Sequence, residues 1–401
     1  MTHVASPLVI GFDGRFLQDK FHGVGRYAYG LLDGLCMLGG DHRMVVFVDP
    51  MLPNTRFPLE RLVQSGKLEL CPVSLPLYSA RELWAWPANL RGLHVDLFHT
   101  PYFWSPLTLP CPLVTTVHDM IWDHYPQYTP GLRFLAPYKV ASRLMIRRAR
   151  LIIADSDATK DDISRFTSAP DEKIVTVPLG VDHAFRPIYD EDERRAVRTR
   201  YGLPSSYILS IGARRPHKNL GRLISAFGQI AGETALSLVL VGATDGNFSD
   251  EVSRALSHLQ GQGKIHEITH VEEKDLAALY SMADLYVQPS IIEGFGLPVL
   301  EAMACGCPVI CSDTSSLPEV ASDAAVFFNP QSVTAIADTL RRILASPELR
   351  CDLRRRGLEH ARGYSWERAA RQTLAVYHGV AAMSRHRGRV AGIGISCPGE
   401  D

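Results

Sequence analysis

The chain has 401 residues, of which 46% are apolar and 21% charged, and its net charge is −1. These proportions are typical of a globular protein, and the balanced charge gives no reason to expect a nucleic-acid partner. Its length exceeds the size at which single hydrophobic cores stop growing, so two domains are expected. The first residues lack the pattern of a secretory signal, and prolines interrupt the long uncharged stretch Thr100–Val117, which excludes a spanning helix there. We therefore expect a cytoplasmic protein.

The eight cysteines are scattered along the chain. Cys305, Cys307 and Cys311 form a cluster, but they lack the C-x-x-C spacing and the nearby histidine pair that metal sites require. We therefore expect free thiols that pack as small apolar side chains, and no metal site.

Apolar segments rich in β-branched residues alternate with helical patterns along the whole chain. In the first half, the predicted strands are Leu8–Phe12, Met44–Val48, Leu97–Thr100, Leu113–Val117, Leu151–Ala154 and Ile174–Val177. In the second half, they are Tyr207–Ile211, Ser237–Val241, Leu285–Gln288, Val309–Cys311 and Ala325–Phe328. The predicted helices include Asn219–Ile230, Glu272–Ser281 and Ser332–Ala345. Because the strands are apolar throughout and alternate with helices, the sequence predicts parallel sheets covered on both faces.

A charged segment, Asp190–Arg195, lies between Pro187 and Pro204 and indicates a hinge with a short helix. Each side of it has the size of one doubly wound domain, so we predict an α/β protein with two Rossmann-like domains facing a central cleft. Ligands bind at the carboxyl ends of the strands in such sheets. The predicted boundaries are 1–186 for the first domain, 187–204 for the linker, 205–363 for the second domain and 386–401 for a disordered tail.

The segment Glu293–Glu301 directly follows the strand Leu285–Gln288 and holds two carboxylates eight positions apart. The Gly-Phe-Gly sequence between them predicts a sharp turn, and Pro298 suits the first turn of a helix. A helix N-terminus favours an anion such as phosphate. One carboxylate can bind ribose hydroxyls and the other a second polyol, so the segment indicates a nucleotide-sugar site.

A basic loop with Arg214, Arg215 and Lys218 lies between the strand Tyr207–Ile211 and a helix. Fixed cations at a strand's carboxyl end stabilise a diphosphate leaving group, whose charge grows as its bond breaks. Alone, such a loop is typical of a solvated surface turn. Its position two strands before Glu293 in the same domain favours phosphate binding.

Gly23, Gly25 and Ala28 satisfy the pattern G-x-G-x-x-A, and Asp49 lies where a ribose-binding acid would follow. This is the best argument for an NAD-dependent oxidoreductase. In that class, however, the glycines follow the first strand at once, whereas residues 13–22 intervene here. A flexible loop that caps the cleft is the preferred interpretation, and a glycine loop without a ligand is the alternative.

His118 ends an apolar strand at an edge that should face the cleft, which favours a functional role over a structural one. Asp119 beside it could instead cap the following turn. Asp155-Ser156-Asp157 is a D-x-D pattern, which holds a divalent metal in another class of sugar transferases. Two carboxylates without further ligands make a poor metal site, so we interpret this pattern as a helix N-cap.

One predicted helix combines basic and apolar residues. They are Lys139, Arg143, Arg147, Arg148 and Arg150 with Val140, Leu144 and Ile146. A surface helix whose apolar side packs on the sheet is the preferred interpretation. Contact with an anionic membrane surface, which would suit a lipid-linked acceptor, is the alternative.

The chain resembles the retaining glycosyltransferases of family 4, which have the GT-B fold. The motifs occur in the family's order at residues 23–27, 99–101, 117–119, 177–182, 216–219, 293–301 and 364–367. The E-x7-E element is the most specific of them. The resemblance implies a first domain that binds the acceptor, a second domain that binds the nucleotide sugar, and a helix over 364–385 that crosses back to the first domain.

The resemblance also implies roles for single residues. Glu301 would bind the ribose hydroxyls, and Glu293 would bind the donor sugar together with backbone N–H groups of the turn after it. His118 would lie beside the donor sugar, and Val271 would flank the base. The implied donor-binding residues are Gly23, Gly25, Arg214, Arg215, Lys218, Val271, Glu293, Gly294, Phe295, Gly296, Leu297 and Glu301; His118, Lys218 and Glu293 are the implied catalytic residues.

One departure from the family concerns the phosphate site. Many members have Arg directly after the glycine that corresponds to Gly212, but Ala213 occupies that position here. Lys218 would hold the diphosphate, and either Arg214 or Arg215 would supply the second cation.

The hypothesis is a retaining hexosyltransferase that acts in polysaccharide or glycoconjugate assembly. It would move a hexose from a nucleoside diphosphate to a saccharide or lipid-linked saccharide hydroxyl, and the resemblance implies no metal or other cofactor. Likeness to mannosyltransferases favours GDP-mannose as donor, with a UDP-linked sugar as the other choice. The alternatives are an NAD-dependent oxidoreductase and a non-catalytic nucleotide-sugar-binding protein.

Overall fold

The computed structural model describes residues 7–20, 22–129, 131–243, 251–259 and 264–391. Within these ranges, the first half of the chain forms a sheet of seven parallel strands in the order β3-β2-β1-β4-β5-β6-β7. Its strands are β1 (Val9–Asp13), β2 (Arg43–Val48), β3 (Leu68–Pro72), β4 (Leu97–Thr100), β5 (Leu113–Val117), β6 (Leu151–Ala154) and β7 (Ile174–Thr176).

The second half forms a sheet whose six described strands are also parallel, in the order β10-β9-β8-β11-β12-β13. Its strands are β8 (Tyr207–Ile211), β9 (Ser237–Val241), β10 (Ile265–Ile268), β11 (Leu285–Gln288), β12 (Val309–Ser312) and β13 (Val326–Phe328). The prediction of an α/β protein with two doubly wound parallel sheets is therefore confirmed.

Helices cover the sheets and connect their strands. The first domain contains α1 (His22–Met37), α2 (Leu59–Val63), α3 (Glu82–Asn89), α4 (Ile121–His124), α5 (Leu132–Arg148) and α6 (Asp157–Thr167). The remaining helices are α7 (Glu191–Tyr201), α8 (Leu220–Ile230), α9 (Glu251–Leu259), α10 (Glu273–Met282), α11 (Leu297–Ala304), α12 (Leu317–Ala321), α13 (Val333–Ala345), α14 (Pro347–Ala361) and α15 (Trp366–Ala391).

The predicted strands are present, with ends shifted by at most one residue, but two strands were missed. These are β3 and β10, which form the outer edges of the two sheets. Edge strands are solvated on one side and therefore carry polar residues, such as Glu69 and Glu267, that interrupt the apolar pattern. A search for continuous apolar segments consequently overlooks them.

The strand order reverses at one point in each sheet. In the first sheet, β1 pairs with both β2 and β4, and in the second, β8 pairs with both β9 and β11. The loops after β1 and β4, and those after β8 and β11, therefore run in opposite directions and leave a crevice between them. Such crevices are the ligand sites of doubly wound sheets.

The last helix, α15, packs against α1 of the first domain. A Cβ atom at Gly30 would come within 2.1 Å of the Trp366 ring, so α1 and α15 touch where α1 has no side chain. A further bridge joins Val181 to Ser365 just before the helix. The described part of α15 extends to Ala391 and so includes residues 386–391 of the predicted tail; residues 392–401 lie outside the described ranges.

The predicted linker contains α7, which begins at a capping residue, Asp190, whose carboxylate accepts hydrogen bonds from two backbone N–H groups. The helix is held to α10 by Asp275, which accepts hydrogen bonds from Arg200 and Tyr201 at 2.5 and 2.7 Å. The segment is therefore attached to the second sheet rather than suspended between the two.

Candidate active site

Glu293 lies just after β11, where three donors converge on its carboxylate. Its Oε1 atom accepts hydrogen bonds from Lys218 Nζ at 2.6 Å, Gln288 Nε2 at 2.7 Å and Ser290 Oγ at 2.6 Å. The structure therefore brings together Lys218 and Glu293, which are 75 positions apart in the chain. Gln288 and Ser290 were not predicted, although they flank the motif in the sequence.

Two further contacts tie the loop after β8 to the loop after β11. The Ile291 N–H donates to the His217 carbonyl at 2.8 Å. The Asn219 side chain donates to the Pro289 carbonyl at 2.9 Å. Lys218 lies between His217 and Asn219, so its backbone position is fixed relative to Glu293.

The electrostatics of this pair favour a charged carboxylate. Burial opposes ionisation of Glu293, but the charge of the Lys218 ammonium and the hydrogen bonds from Lys218 and Ser290 outweigh it and lower the pKa of Glu293. Burial and the neighbouring Lys218 charge lower the pKa of His217 to about 3, so His217 is neutral. Glu293 is thus an ionised acceptor for hydroxyl groups, with Lys218 as a cation beside it.

The turn after Glu293 requires its glycines. Gly296 has φ +100 and is the N-cap of α11, a conformation that other residues rarely adopt. Phe295 is buried, and Leu297 starts the helix. Pro298 has no N–H group, and the Val299 N–H donates to the Gly296 carbonyl at 2.9 Å, so Gly296 and Leu297 carry the N–H groups that the start of α11 could offer to an anion between the two carboxylates.

Glu301 is fully buried in α11 and contacts the first domain. Its carboxylate accepts hydrogen bonds from Arg26 of α1 and, at 3.1 Å, from the Tyr280 hydroxyl. Arg26 also donates to Glu273 at 2.7 and 3.0 Å. Burial raises the pKa of Glu301 despite the opposing charge of Arg26. Each oxygen of the Glu301 carboxylate thus already accepts one hydrogen bond, one of them from the first domain.

The two arginines of the basic loop differ in their surroundings. Arg214 is largely buried and pairs with Glu267 of β10 at 2.5 Å. Arg215 is exposed, and its charge acts on Asp119 of the first domain. Val271 is buried in the loop after β10, at the same edge of the sheet. Arg215 is thus the arginine that faces the opposite domain.

Gly23 and Gly25 lie in the first turn of α1, so the prediction of a flexible loop is wrong for them. A Cβ atom at Gly25 would come within 2.8 Å of the Phe16 carbonyl oxygen, which explains the glycine by packing. A Cβ atom at Gly23 would meet no described atom within 4 Å. Of these two glycines, Gly23 is the one beside which the described residues leave open space.

His118 follows β5, and its backbone carbonyl approaches Gly294 of the second domain. Its Nδ1 atom lies 2.6 Å from Asp155 Oδ2, and its Nε2 atom donates to the Pro101 carbonyl at 2.8 Å. Burial alone would lower the pKa of His118, but the charge and hydrogen bond of Asp155 outweigh it and raise the pKa. Asp119 caps the following turn, as the alternative interpretation proposed, since its carboxylate accepts a hydrogen bond from the Ile121 N–H.

The D-x-D pattern joins the two domains. Ser156 is the N-cap of α6, as predicted, and its hydroxyl also donates to the Gly294 carbonyl at 2.7 Å. Glu319 of the second domain accepts from the Asp157 N–H at 2.9 Å. A carboxylate from one domain thus stabilises the helix N-terminus of the other.

Comparison with known proteins identifies the family. The model described as "Glycosyltransferase Family 4" matches residues 21–185, and that of "Glycosyl transferases group 1" matches residues 194–360. The O-antigen chain mannosyltransferase B of Escherichia coli is 34% identical over 303 residues, which cover 75% of this chain and 78% of that protein. The chain belongs to glycosyltransferase family 4. This membership sets aside the NAD-dependent oxidoreductase alternative.

A second relative is similar in sequence, and solved structures share the fold. The MMP alpha-(1->4)-mannosyltransferase of Mycolicibacterium hassiacum is 30% identical over 66% of this chain and 65% of its own. The sucrose-phosphate synthase of Thermosynechococcus elongatus superposes with a TM-score of 0.73 at 21% identity, over 94% of this chain and 100% of that one. Anabaena HepE in complex with UDP and glucose superposes with a TM-score of 0.70 at 18% identity, over 92% of this chain and 99% of that one. The glycosyltransferase has the GT-B fold.

The basic helix of the first domain, α5, is partly exposed. Ile146 is buried, whereas Val140 and Leu144 are 61% and 49% exposed. Arg143 pairs with Asp123 at 2.8 Å. In the part of the chain that the structure describes, no helix combines the length and the apolar character needed to cross a bilayer.

Replacing Gly294 with alanine is expected to lower transfer turnover about 100-fold, since small misplacements in an active site have effects of this size. A Cβ atom there would lie 1.7 Å from the His118 carbonyl oxygen, so the two domains could not approach as closely. Steady-state kinetics test this. Gly232→Ala is the control, because a Cβ atom at Gly232 meets no described atom. Full turnover in the Gly294 variant would contradict the closed arrangement.

The His118 imidazole is expected to titrate above the ordinary value of 6.5, because Asp155 stabilises its charged form. The folded state then binds this proton more tightly than the unfolded state. The resulting stabilisation is complete below pH 6.5 and is lost as the pH rises through the folded pKa. Side-chain ¹⁵N NMR, with His118→Gln for assignment, measures the midpoint. Asp155→Asn should lower it, and a wild-type midpoint below 6.5 would show the argument to be wrong.

Proposed function

We propose that this family 4 enzyme is a retaining hexosyltransferase. It transfers a hexose, with mannose from GDP-mannose as the first choice, to a hydroxyl of a saccharide or lipid-linked saccharide in polysaccharide or glycoconjugate assembly. A UDP-linked sugar is the second choice. The names of the mannosyltransferase relatives support mannose, and the neighbour in complex with UDP and glucose supports a nucleotide-linked donor.

The observation that supports the proposal best is the convergence of Lys218, Glu293 and the N-terminus of α11 at one switch point. The site offers the Lys218 ammonium and the positive end of the α11 dipole for a diphosphate, and it offers an ionised carboxylate for sugar hydroxyls. Glu301, one helical turn further, would accept hydrogen bonds from the ribose. Glu301, then Lys218 with the N-terminus of α11, and then Glu293 would thus meet the ribose, the diphosphate and the sugar in the order in which a nucleotide sugar carries them.

In the proposed reaction, the bond between the anomeric carbon and the diphosphate oxygen breaks, and a bond to the acceptor oxygen forms on the same face of the sugar. The acceptor's proton passes to the departing phosphate oxygen. Lys218 and Arg215 stabilise the charge that develops on the diphosphate. The proposal requires no metal, since these side chains supply positive charge themselves.

His118 would hold the donor sugar from the first domain. With Asp155 on Nδ1 and a protonated ring, it could release the Pro101 carbonyl and donate from Nε2 to a sugar hydroxyl. The charge of Asp155 keeps that proton on the ring. His118 would then position the sugar rather than act as a base.

A ligand screen and a product analysis test the proposal. Thermal shift with GDP-, UDP- and ADP-sugars identifies the donor, because a ligand that binds only the folded state raises the melting temperature. NMR of the transferred sugar then gives its anomeric configuration, which we expect to be that of the donor. Inverted configuration would overturn the retaining mechanism. Donor binding without transfer or hydrolysis would favour the non-catalytic alternative.

A further inference from the structure

Three aromatic residues that no part of the donor site uses gather at the carboxyl edge of the first sheet. Tyr78 follows β3, and Tyr102 and Trp104 follow β4. The Tyr78 ring centroid lies 6.3 Å from that of Tyr102 and 5.8 Å from that of Trp104, both in edge-to-face arrangement. Phe16, in the loop after β1, extends the group at 5.7 Å from Tyr102. Tyr78, Tyr102 and Trp104 are called the aromatic wall below.

A buried carboxylate fixes two members of this wall. Glu82 Oε2 accepts hydrogen bonds from the Tyr78 N–H at 2.8 Å and from Trp104 Nε1 at 3.0 Å. Its other oxygen binds Arg15, which in turn binds Asp13 at 2.6 Å. All three charged side chains are fully buried. A buried ion network is costly to form, and here its effect is to hold the aromatic wall rigid.

Tyr78 has an unusual conformation and an exposed ring. Its φ is +62, in the region that residues other than glycine seldom adopt. The residue nevertheless remains 46% exposed. Strained residues persist where the surrounding structure forces them, and they are frequent at ligand sites. Core packing does not explain an exposed aromatic ring held in this way.

The aromatic wall lies beside the donor site. The Tyr102 carbonyl accepts hydrogen bonds from the Thr100 and Thr115 hydroxyls at 3.0 and 2.9 Å, which places it at the ends of β4 and β5, next to the switch point. The charges of Asp119 and of Arg215 from the second domain both act on the Tyr102 hydroxyl. The wall therefore borders the same cleft, on the side of the first domain.

We propose that the aromatic wall binds a sugar ring of the acceptor saccharide, with Glu82 as a positioning residue. The inference rests on the proposed transferase function and names a part of the acceptor that the enzyme recognises. The C–H face of a pyranose stacks on aromatic rings, while its hydroxyls bond with nearby polar groups, which here are the tyrosine hydroxyls and Asp119. These polar neighbours suit a saccharide better than a lipid chain.

Saturation-transfer NMR with methyl glycosides of mannose, glucose, galactose and N-acetylglucosamine tests the proposal on the full chain. We expect at least one glycoside to receive saturation from the wild-type protein, and Tyr78→Ala to reduce that signal at least fivefold. Tyr189→Ala is the matched control, since Tyr189 is a 69% exposed tyrosine in the linker. Equal signals in the Tyr78 and Tyr189 variants, or no signal for any glycoside with the wild type, would overturn the aromatic wall as an acceptor site.

Donor titrations on the same samples separate this inference from the proposed function. We expect Tyr78→Ala and Trp104→Phe to leave the affinity for the nucleoside diphosphate within twofold of wild type. Glu82→Gln should reduce the glycoside signal in the same way, because it weakens the hydrogen bonds that fix Tyr78 and Trp104. Unchanged saturation transfer in the Glu82 variant would reject its positioning role. If the wild-type protein does not bind a nucleoside diphosphate, the proposed function itself is contradicted.

Discussion

Replacement of Lys218 by methionine is expected to lower the turnover of sugar transfer about 100-fold, the usual effect of losing one preorganised group that stabilises developing charge. Methionine keeps the apolar length of the side chain but removes the ammonium group that lies 2.6 Å from Glu293. The diphosphate gains charge as its bond to the sugar breaks, so the lost cation affects the transition state more than the bound donor. We therefore expect kcat to fall and the donor KM to change less.

Steady-state kinetics with the donor identified by thermal shift measures this effect. Lys274→Met is the matched control, because Lys274 is an exposed lysine of the same domain that pairs with Glu272. In the Lys218 variant, the buried Glu293 carboxylate loses its cationic partner, which could destabilise the fold. The melting temperature of the variant must therefore be measured as well. A folded Lys218 variant with wild-type turnover would show that this ammonium does not act on the diphosphate.

Replacement of Glu301 by glutamine is expected to weaken nucleoside diphosphate binding about 100-fold. A hydrogen bond to a charged group contributes about 1.5–3 kcal/mol, and each 1.4 kcal/mol changes affinity about tenfold. The substitution preserves the shape of a fully buried side chain, which accepts hydrogen bonds from Arg26 and Tyr280 in the structure. The loss should therefore arise from the ribose hydroxyls rather than from a cavity.

A nucleotide without ribose hydroxyls provides the decisive comparison for Glu301. The wild type should bind the 2′,3′-dideoxynucleoside diphosphate much more weakly than the parent compound, whereas Glu301→Gln should bind both with similar affinity. Glu272→Gln, a neighbouring half-exposed carboxylate, serves as the control and should retain the wild-type difference. Equal discrimination by the wild type and the Glu301 variant would remove Glu301 from the ribose site.

Local sequence patterns predicted the strand–turn–helix unit of the second domain that carries the two carboxylates. Glu293, Pro298 and Glu301 lie on one strand–turn–helix unit, whose conformation depends on residues adjacent in the chain. The sequence placed the basic loop only in the same domain as this unit, and the structure adds that β8 and β11 are neighbours at the switch point of the sheet. The structure adds the direct contact between Lys218 and Glu293, which the sequence could not specify.

Contacts between the domains could not be predicted in this way. Arg26 and Glu301 are 275 positions apart, and neither local pattern shows that the guanidinium reaches that carboxylate. Gly25 matched a nucleotide-binding pattern, but the structure explains it by the close approach of the Phe16 carbonyl. Glu319 likewise has no local signal for its contact with the N-terminus of α6. Such pairings depend on how two folded units meet.

A crystal structure with the bound nucleoside diphosphate tests the central claim most directly. We expect the Glu301 carboxylate to accept hydrogen bonds from both ribose hydroxyls after Arg26 has moved away, and the diphosphate to lie between Lys218 and the N-terminus of α11. A structure in which the nucleotide binds elsewhere, while Glu301 still contacts Arg26 and Lys218 still contacts Glu293, would contradict the assignment of this edge of the second sheet as the donor site.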